Sequence, residues 1–117
     1  MSLIQMINTL KAHPDYPRMG MIASHLGVVR ETALDGRTVQ GVQIKFDDEV
    51  IHDIIRNARE MDGIIEALVE TYEGDLKVGD EIMAVVVGGD TRDHVFPALI
   101  ETVDAIKKNG AFKKELF

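Results

Sequence analysis

The chain has 117 residues, enough for one domain with a real core and too few for two. Its 45% hydrophobic content excludes wholesale disorder, and no apolar run approaches the about 20 residues a membrane-spanning helix needs. A net charge of −7 argues against generic nucleic-acid binding, and the absence of cysteine removes disulfides, thiolate metal sites and thiol nucleophiles. The opening residues Met1-Ser2-Leu3-Ile4 carry no basic region before an apolar core, so no secretory leader is expected and a cytoplasmic address fits.

The charge is unevenly distributed. Residues 1–106 hold 9 basic and 19 acidic side chains, whereas residues 107–117 hold 4 basic and 1 acidic. An acidic body therefore ends in a short basic segment, which by charge alone reads as a solvated tail.

In chain order, Leu3, Met6, Ile7 and Leu10 fall at helical spacing, predicting a short amphipathic helix closed by His13-Pro14. Residues 21–29 read as a strand with a possible bulge at Gly27, and Asp35-Gly36 as a turn. Val42, Ile44 and Phe46 alternate with Gln43 and Lys45, the pattern of a strand with one wet face. Asp47-Asp48-Glu49 loads a helix start with negative charge, and Val50, Ile51, Ile54, Ile55, Ala58 and Met61 form its stripe. Gly63 stops it.

Residues 64–72 are strand-like, Gly74 turns the chain, and Lys77-Val78-Gly79-Asp80 turns it again. Ile82–Val87 is a continuous β-branched apolar run, expected as a central strand. The last helix should place Phe96, Leu99, Val103 and Ile106 on one face and end at Asn109-Gly110. Pro97 asks that it begin near Asp93 or His94, or that it kink. The sum is a single α+β domain over residues 1–117, a sheet with helices packed on one side.

Few motifs carry chemistry alone. The histidines (His13, His25, His52, His94) lack metal-ligand spacing, so no metal is expected, and His25 within a strand reads as a packed or hydrogen-bonded residue and not a base. Gly88-Gly89-Asp90-Thr91, followed by Arg92, resembles a phosphate-holding strand-to-helix turn but lacks the P-loop lysine, and a plain turn is the simpler reading. Arg30, where a strand meets a loop, reads alone as a surface charge. Lys107, at a helix C-terminus, is explained by the helix dipole.

The ordered set of these pieces is more specific than any one of them. Gly27-Val28-Val29-Arg30 is followed by Gly74-Asp75-Leu76-Lys77-Val78-Gly79-Asp80-Glu81 and Val85-Val86-Val87. Then come Thr91-Arg92 with Val95-Phe96, Asp104-Ala105-Ile106-Lys107 and Phe112-Lys113-Lys114-Glu115. From about Gly20 to Glu115 this resembles the large, catalytic subunit of molybdopterin synthase, the MoaE family. Residues 1–19 lie outside the resemblance, as either a packed helix or a mobile arm.

The resemblance implies an α/β-hammerhead fold and an enzyme of molybdenum cofactor biosynthesis. Its reaction would add two sulfurs to cyclic pyranopterin monophosphate to make the molybdopterin dithiolene. The sulfur would come as a thiocarboxylate on the C-terminal Gly-Gly of a small ubiquitin-like partner, in a heterotetramer built on a homodimer. No resident cofactor is implied. Lys107 and Lys114 would be catalytic, and Arg30, Thr91, Arg92, Lys113 and Glu115 would bind substrate. Thr91 stands where the family has histidine, and the tail lacks the family's tryptophan, so either Lys113 or Lys114 matches the second lysine. The alternative is a homodimeric relative that keeps an anion pocket without transferring sulfur.

Overall fold

A computed structural model describes residues 1–117. The helices are α1 (Leu3–Lys11), α2 (Asp48–Arg59) and α3 (Arg92–Ala105), the last running into a π-helical turn, Ile106–Gly110. The strands are β1 (Met21–Val28), β2 (Gly41–Phe46), β3 (Ile64–Thr71), β4 (Gly74–Lys77), β5 (Glu81–Gly89) and β6 (Ala111–Leu116). They form two antiparallel three-stranded sheets, ordered β1-β5-β3 and β4-β2-β6.

The apolar run that forms β5 is the central strand of its sheet, as its composition required. Met83, Val85 and Val87 face the main core with Ala98 and Val103 of α3 and Ile51 of α2. Ala84 and Val86 face the other way, against Met6 and Leu10 of α1. The expectation of helices on one side therefore holds for α2 and α3 and is corrected for α1. A strand apolar on both faces needs cover on both, and α1 is a packed helix.

Local signals account for most boundaries. Asp47 caps α2 by accepting the Val50 N–H at 3.2 Å, and Ser2 and Gln5 form a reciprocal capping box at the start of α1. The register of β1 on β5 shifts between Gly27 and Val28, where the sequence suggested a bulge, and Gly36 takes φ +92° in the expected turn. In β2, Val42, Ile44 and Phe46 are buried while Gln43 and Lys45 are exposed.

Four expectations need correction. The tail after Gly110 is strand β6, paired with β2 along its length, and the stretch after Gly74 is strand β4 on the other side of β2. Strand β4 is too short and β6 too polar to declare itself; pairing to β2 makes them strands. Helix α3 begins at Arg92, so Pro97 sits in its second turn. Asp93 and Pro97 are both exposed, so water can take up the carbonyl that proline cannot satisfy. The buried face of α3 is Val95, Ala98, Thr102, Val103 and Ile106, leaving Phe96 half exposed.

Gly41 lets β2 approach β4 closely: a Cβ there would lie 2.5 Å from the Leu76 carbonyl oxygen. The obstacle is backbone and cannot rotate away. Gly41→Ala should cost about 1–3 kcal/mol, read as a lower urea midpoint with an unchanged slope. An unchanged midpoint would mean that the two strands part freely.

Candidate functional site

Between the two sheets lies a cavity of about 740 Å³, within the range of small-molecule sites. Its floor is apolar, with Ile44 and Phe46 from β2 and Ile82 and Met83 from β5. Its polar groups come from separate elements. The strand β1 and the loop after it supply His25 and Arg30, the π-helical turn supplies Lys107, and β6 supplies Lys113 and Glu115.

Strand alternation decides which tail residues enter. Lys113 pairs with Ile44 and Glu115 with Val42, on the inward face of β2, whereas Phe112 and Lys114 pair with the outward Lys45 and Gln43. Lys114 lines only a second groove of about 680 Å³ on the outer face, with Lys45, Asp75 and Phe112, whereas Lys113 borders both that groove and the cavity. Of the two lysines left open by the tail, Lys113 stands in the cavity with Lys107.

None of the cavity's cations is neutralised within the chain. The six salt bridges all lie elsewhere, and neither Arg30, Lys107 nor Lys113 joins one. Arg30 donates from Nε to the Thr32 carbonyl at 2.7 Å, which fixes the guanidinium plane and leaves both terminal nitrogens free of protein partners. Lys107 follows the last carbonyls of α3, and π-turns of this kind recur at functional sites.

Thr91 and Arg92 are not brought to this cavity. They begin α3, whose 14 residues separate them from Lys107 by about 20 Å at 1.5 Å per residue. The helix start is already occupied by a carboxylate, because Asp90 accepts the Thr91 N–H at 2.6 Å and lies 2.8 Å from Nδ1 of His94. The glycines there serve packing: a Cβ on Gly88 would meet Met19 Sδ at 2.7 Å, and one on Gly89 the Gly63 carbonyl at 2.5 Å. The phosphate-turn reading therefore gives way to the plain turn.

Sequence reasoning passed over His25 as a site residue. Its Nε2 is shielded from solvent and has no hydrogen-bond partner in the chain. Burial first, and the Lys107 ammonium second, hold its imidazole below the ordinary pKa of 6.5. Its position two residues before Gly27, on the same face of β1, was the only available signal.

These protonation states give stability a pH signature. The folded state disfavours protonated His25, so stability should fall as pH drops below 6.5 toward the lowered folded value. His94 is raised by its bond to Asp90, so its contribution is complete below 6.5 and is lost only as pH rises through its raised value. Between pH 7 and about 5, above the range where the depressed carboxylates Asp35 and Asp90 add a fall of their own, the loss therefore belongs to His25. Urea midpoints measured over that window should show it in the parent protein and not in His25→Phe. An identical fall in the variant would contradict the assignment.

Comparison with known proteins follows the same lines. The family model described as MoaE protein matches residues 3–109, which takes in α1. The molybdopterin synthase catalytic subunit of Ralstonia nicotianae is 28% identical over 103 residues, covering 85% of this chain. The chain spans 58% of that relative's length, less than two thirds. A MoaE protein from Burkholderia ambifaria superposes with a TM-score of 0.78 at 23% identity, covering 98% of this chain and 76% of that one. One chain of the complex of subunits 1 and 2 of molybdopterin-converting factor from Helicobacter pylori superposes at 0.72 and 14% identity, covering 100% and 84%. These two structures speak to the fold. With the family model matched over most of its length, the chain belongs to the MoaE family.

Proposed function

We propose that this protein is the catalytic subunit of a molybdopterin synthase and that the cavity between its sheets is where sulfur is transferred. The observation that carries the reading is the convergence of Arg30, Lys107 and Lys113 on one cavity, unpaired, in a chain of net charge −7. Unpaired surface lysines and arginines occur elsewhere in the chain, so it is the gathering of three cations from separate elements around one cavity that suits an anion from outside. The kinship with the Ralstonia catalytic subunit points to the same reaction.

The substrate is cyclic pyranopterin monophosphate, and the sulfur donor is the C-terminal thiocarboxylate of a small ubiquitin-like subunit ending in Gly-Gly. Both are anionic, which explains fixed cations on an acidic body. A sulfur delivered by a partner also explains an enzyme without cysteine. The solved Helicobacter complex of two converting-factor subunits supports a partner of this kind. The compartment is the cytoplasm.

Within the cavity, Arg30 presents its two free terminal nitrogens to the cyclic phosphate as a planar fork. Lys107 and Lys113 face the reacting end, where they offset the thiocarboxylate charge and move protons as the carbon–sulfur bonds form. Glu115, on the same strand face as Lys113, contributes to substrate binding. Arg92 and Thr91, about 20 Å from Lys107 within one chain, serve the cavity of a second copy, which fits a central homodimer carrying a small subunit at each end. The other reading, an anion-binding relative without sulfur transfer, has no specific observation in its favour.

The test is reconstitution with the thiocarboxylated small subunit and cyclic pyranopterin monophosphate, assayed for the dithiolene. Lys107→Ala should lower the rate by about a hundredfold or more with an unchanged melting temperature. Lys113→Ala should follow it, while Lys114→Ala should retain most of the activity. The reverse order for the two tail lysines would move the reaction to the outer groove. Tight partner binding without product would favour the anion-binding relative.

A further inference from the structure

His25 has no part in the chemistry above, yet it lines the same cavity, and folding leaves its Nε2 shielded and without a partner. Buried polar atoms are nearly always satisfied, so an orphan at a ligand cavity points to a partner that arrives with the ligand. Nε2 sits over Gly27, itself a lining residue, and a Cβ at that position would come within 3.4 Å of it. Because Nε2 is shielded, the ring must turn toward the cavity to meet a ligand, and Gly27 puts no side chain in its way.

The charged groups that line the cavity with His25 are few, and Lys107 is the one that acts directly on its imidazole. Lys107 comes from the π-helical turn, Arg30 from the end of β1, and Lys113 and Glu115 from β6. The strands β2 and β5 contribute apolar side chains at this place. Three cations thus oppose one carboxylate, and a further positive charge on the imidazole is repelled while the cavity is empty. An entering oxyanion reverses that balance. It offsets the lysine and arginine charges and brings an acceptor for a protonated ring, in which both nitrogens are donors.

We propose that His25 takes up a proton when an oxyanion occupies the cavity and donates a hydrogen bond from Nε2 to it. This rests on the reading of the cavity as an anion site and adds a titrating group to it. The proton comes from solvent, and no covalent bond is made or broken. The occupant is either a tetrahedral phosphate-like group or a planar terminal carboxylate, since both present an acceptor oxygen and a negative charge.

The full chain can be titrated by proton NMR, following the Cε1–H of His25 against pH, with the signal identified by its loss in His25→Phe. One arm adds sulfate, which stays fully ionised over the range, at ionic strength balanced with chloride. A second arm adds a short peptide ending in Gly-Gly. The midpoint of His25 should rise in at least one arm, and the arm with the larger rise names the occupant. Affinity for that anion should tighten at acid pH by about tenfold per unit of midpoint shift. This pH dependence should vanish in His25→Phe and in His25→Gln, which keeps a polar end without titrating. An anion that binds without moving the midpoint would overturn the proposal alone. No binding in either arm would overturn it together with the anion-site reading beneath it.

Discussion

The fold depends on one strand that must be covered on both faces. Alternate residues of β5 point to opposite sides, Val85 and Val87 toward α3 and Ala84 and Val86 toward α1. Burial on both sides fixes the register, because a slip of one residue would exchange two sets of side chains that fit different partners. From this axis the rest follows. Strand β1 pairs antiparallel along β5, placing His25 beside Val85 at its middle and delivering Arg30 past its start, where Val28 pairs with Glu81. Helix α3 leaves from its far end and returns antiparallel, which brings Lys107 back to that same end. The site is assembled where these three chain segments meet the second sheet.

Electrostatics then separates the cavity from the surface around it. Elsewhere three arginines pair locally, Arg59 with Glu66, Arg56 with Asp53 and Arg37 with Asp35, while most lysines stand free on the surface. Arg37 also lies 3.6 Å over the ring of Phe117, tying the loop after β1 to the end of β6. What sets the cavity apart is convergence: Lys107, Lys113 and Arg30, none of them in an ion pair, come from three separate elements to one apolar floor. The low titration of His25 is the internal sign of that field, second to the effect of burial.

Elements dictated by their own residues were legible in the sequence. The run at β5, the alternation of β2, the capped and striped α2 and the glycine turn at residue 36 all declare themselves locally. Strand β6 does not: Phe112-Lys113-Lys114-Glu115 reads as a solvated tail, and only the edge of β2 makes it a strand. Pro97 misplaced the start of α3 because its cost depends on solvent exposure, which sequence does not give. The same limit governed the site. Lys107 and Arg30 were legible through family resemblance, but the choice between Lys113 and Lys114 turns on which face of a nonlocal pairing each occupies. His25 was read as a packed or hydrogen-bonded side chain because an orphaned nitrogen is visible only once the neighbours are placed.

The central claim is that the partner's terminus enters between the sheets and not along the outer groove. A small subunit carrying a photoreactive group on its last glycine, irradiated in complex with this protein and mapped by mass spectrometry, tests it directly. Crosslinks to the segments around Arg30, Lys107 and Lys113 are the expected result. Crosslinks confined to Lys45, Asp75 and Lys114 would place the terminus on the opposite face of the second sheet and contradict the account.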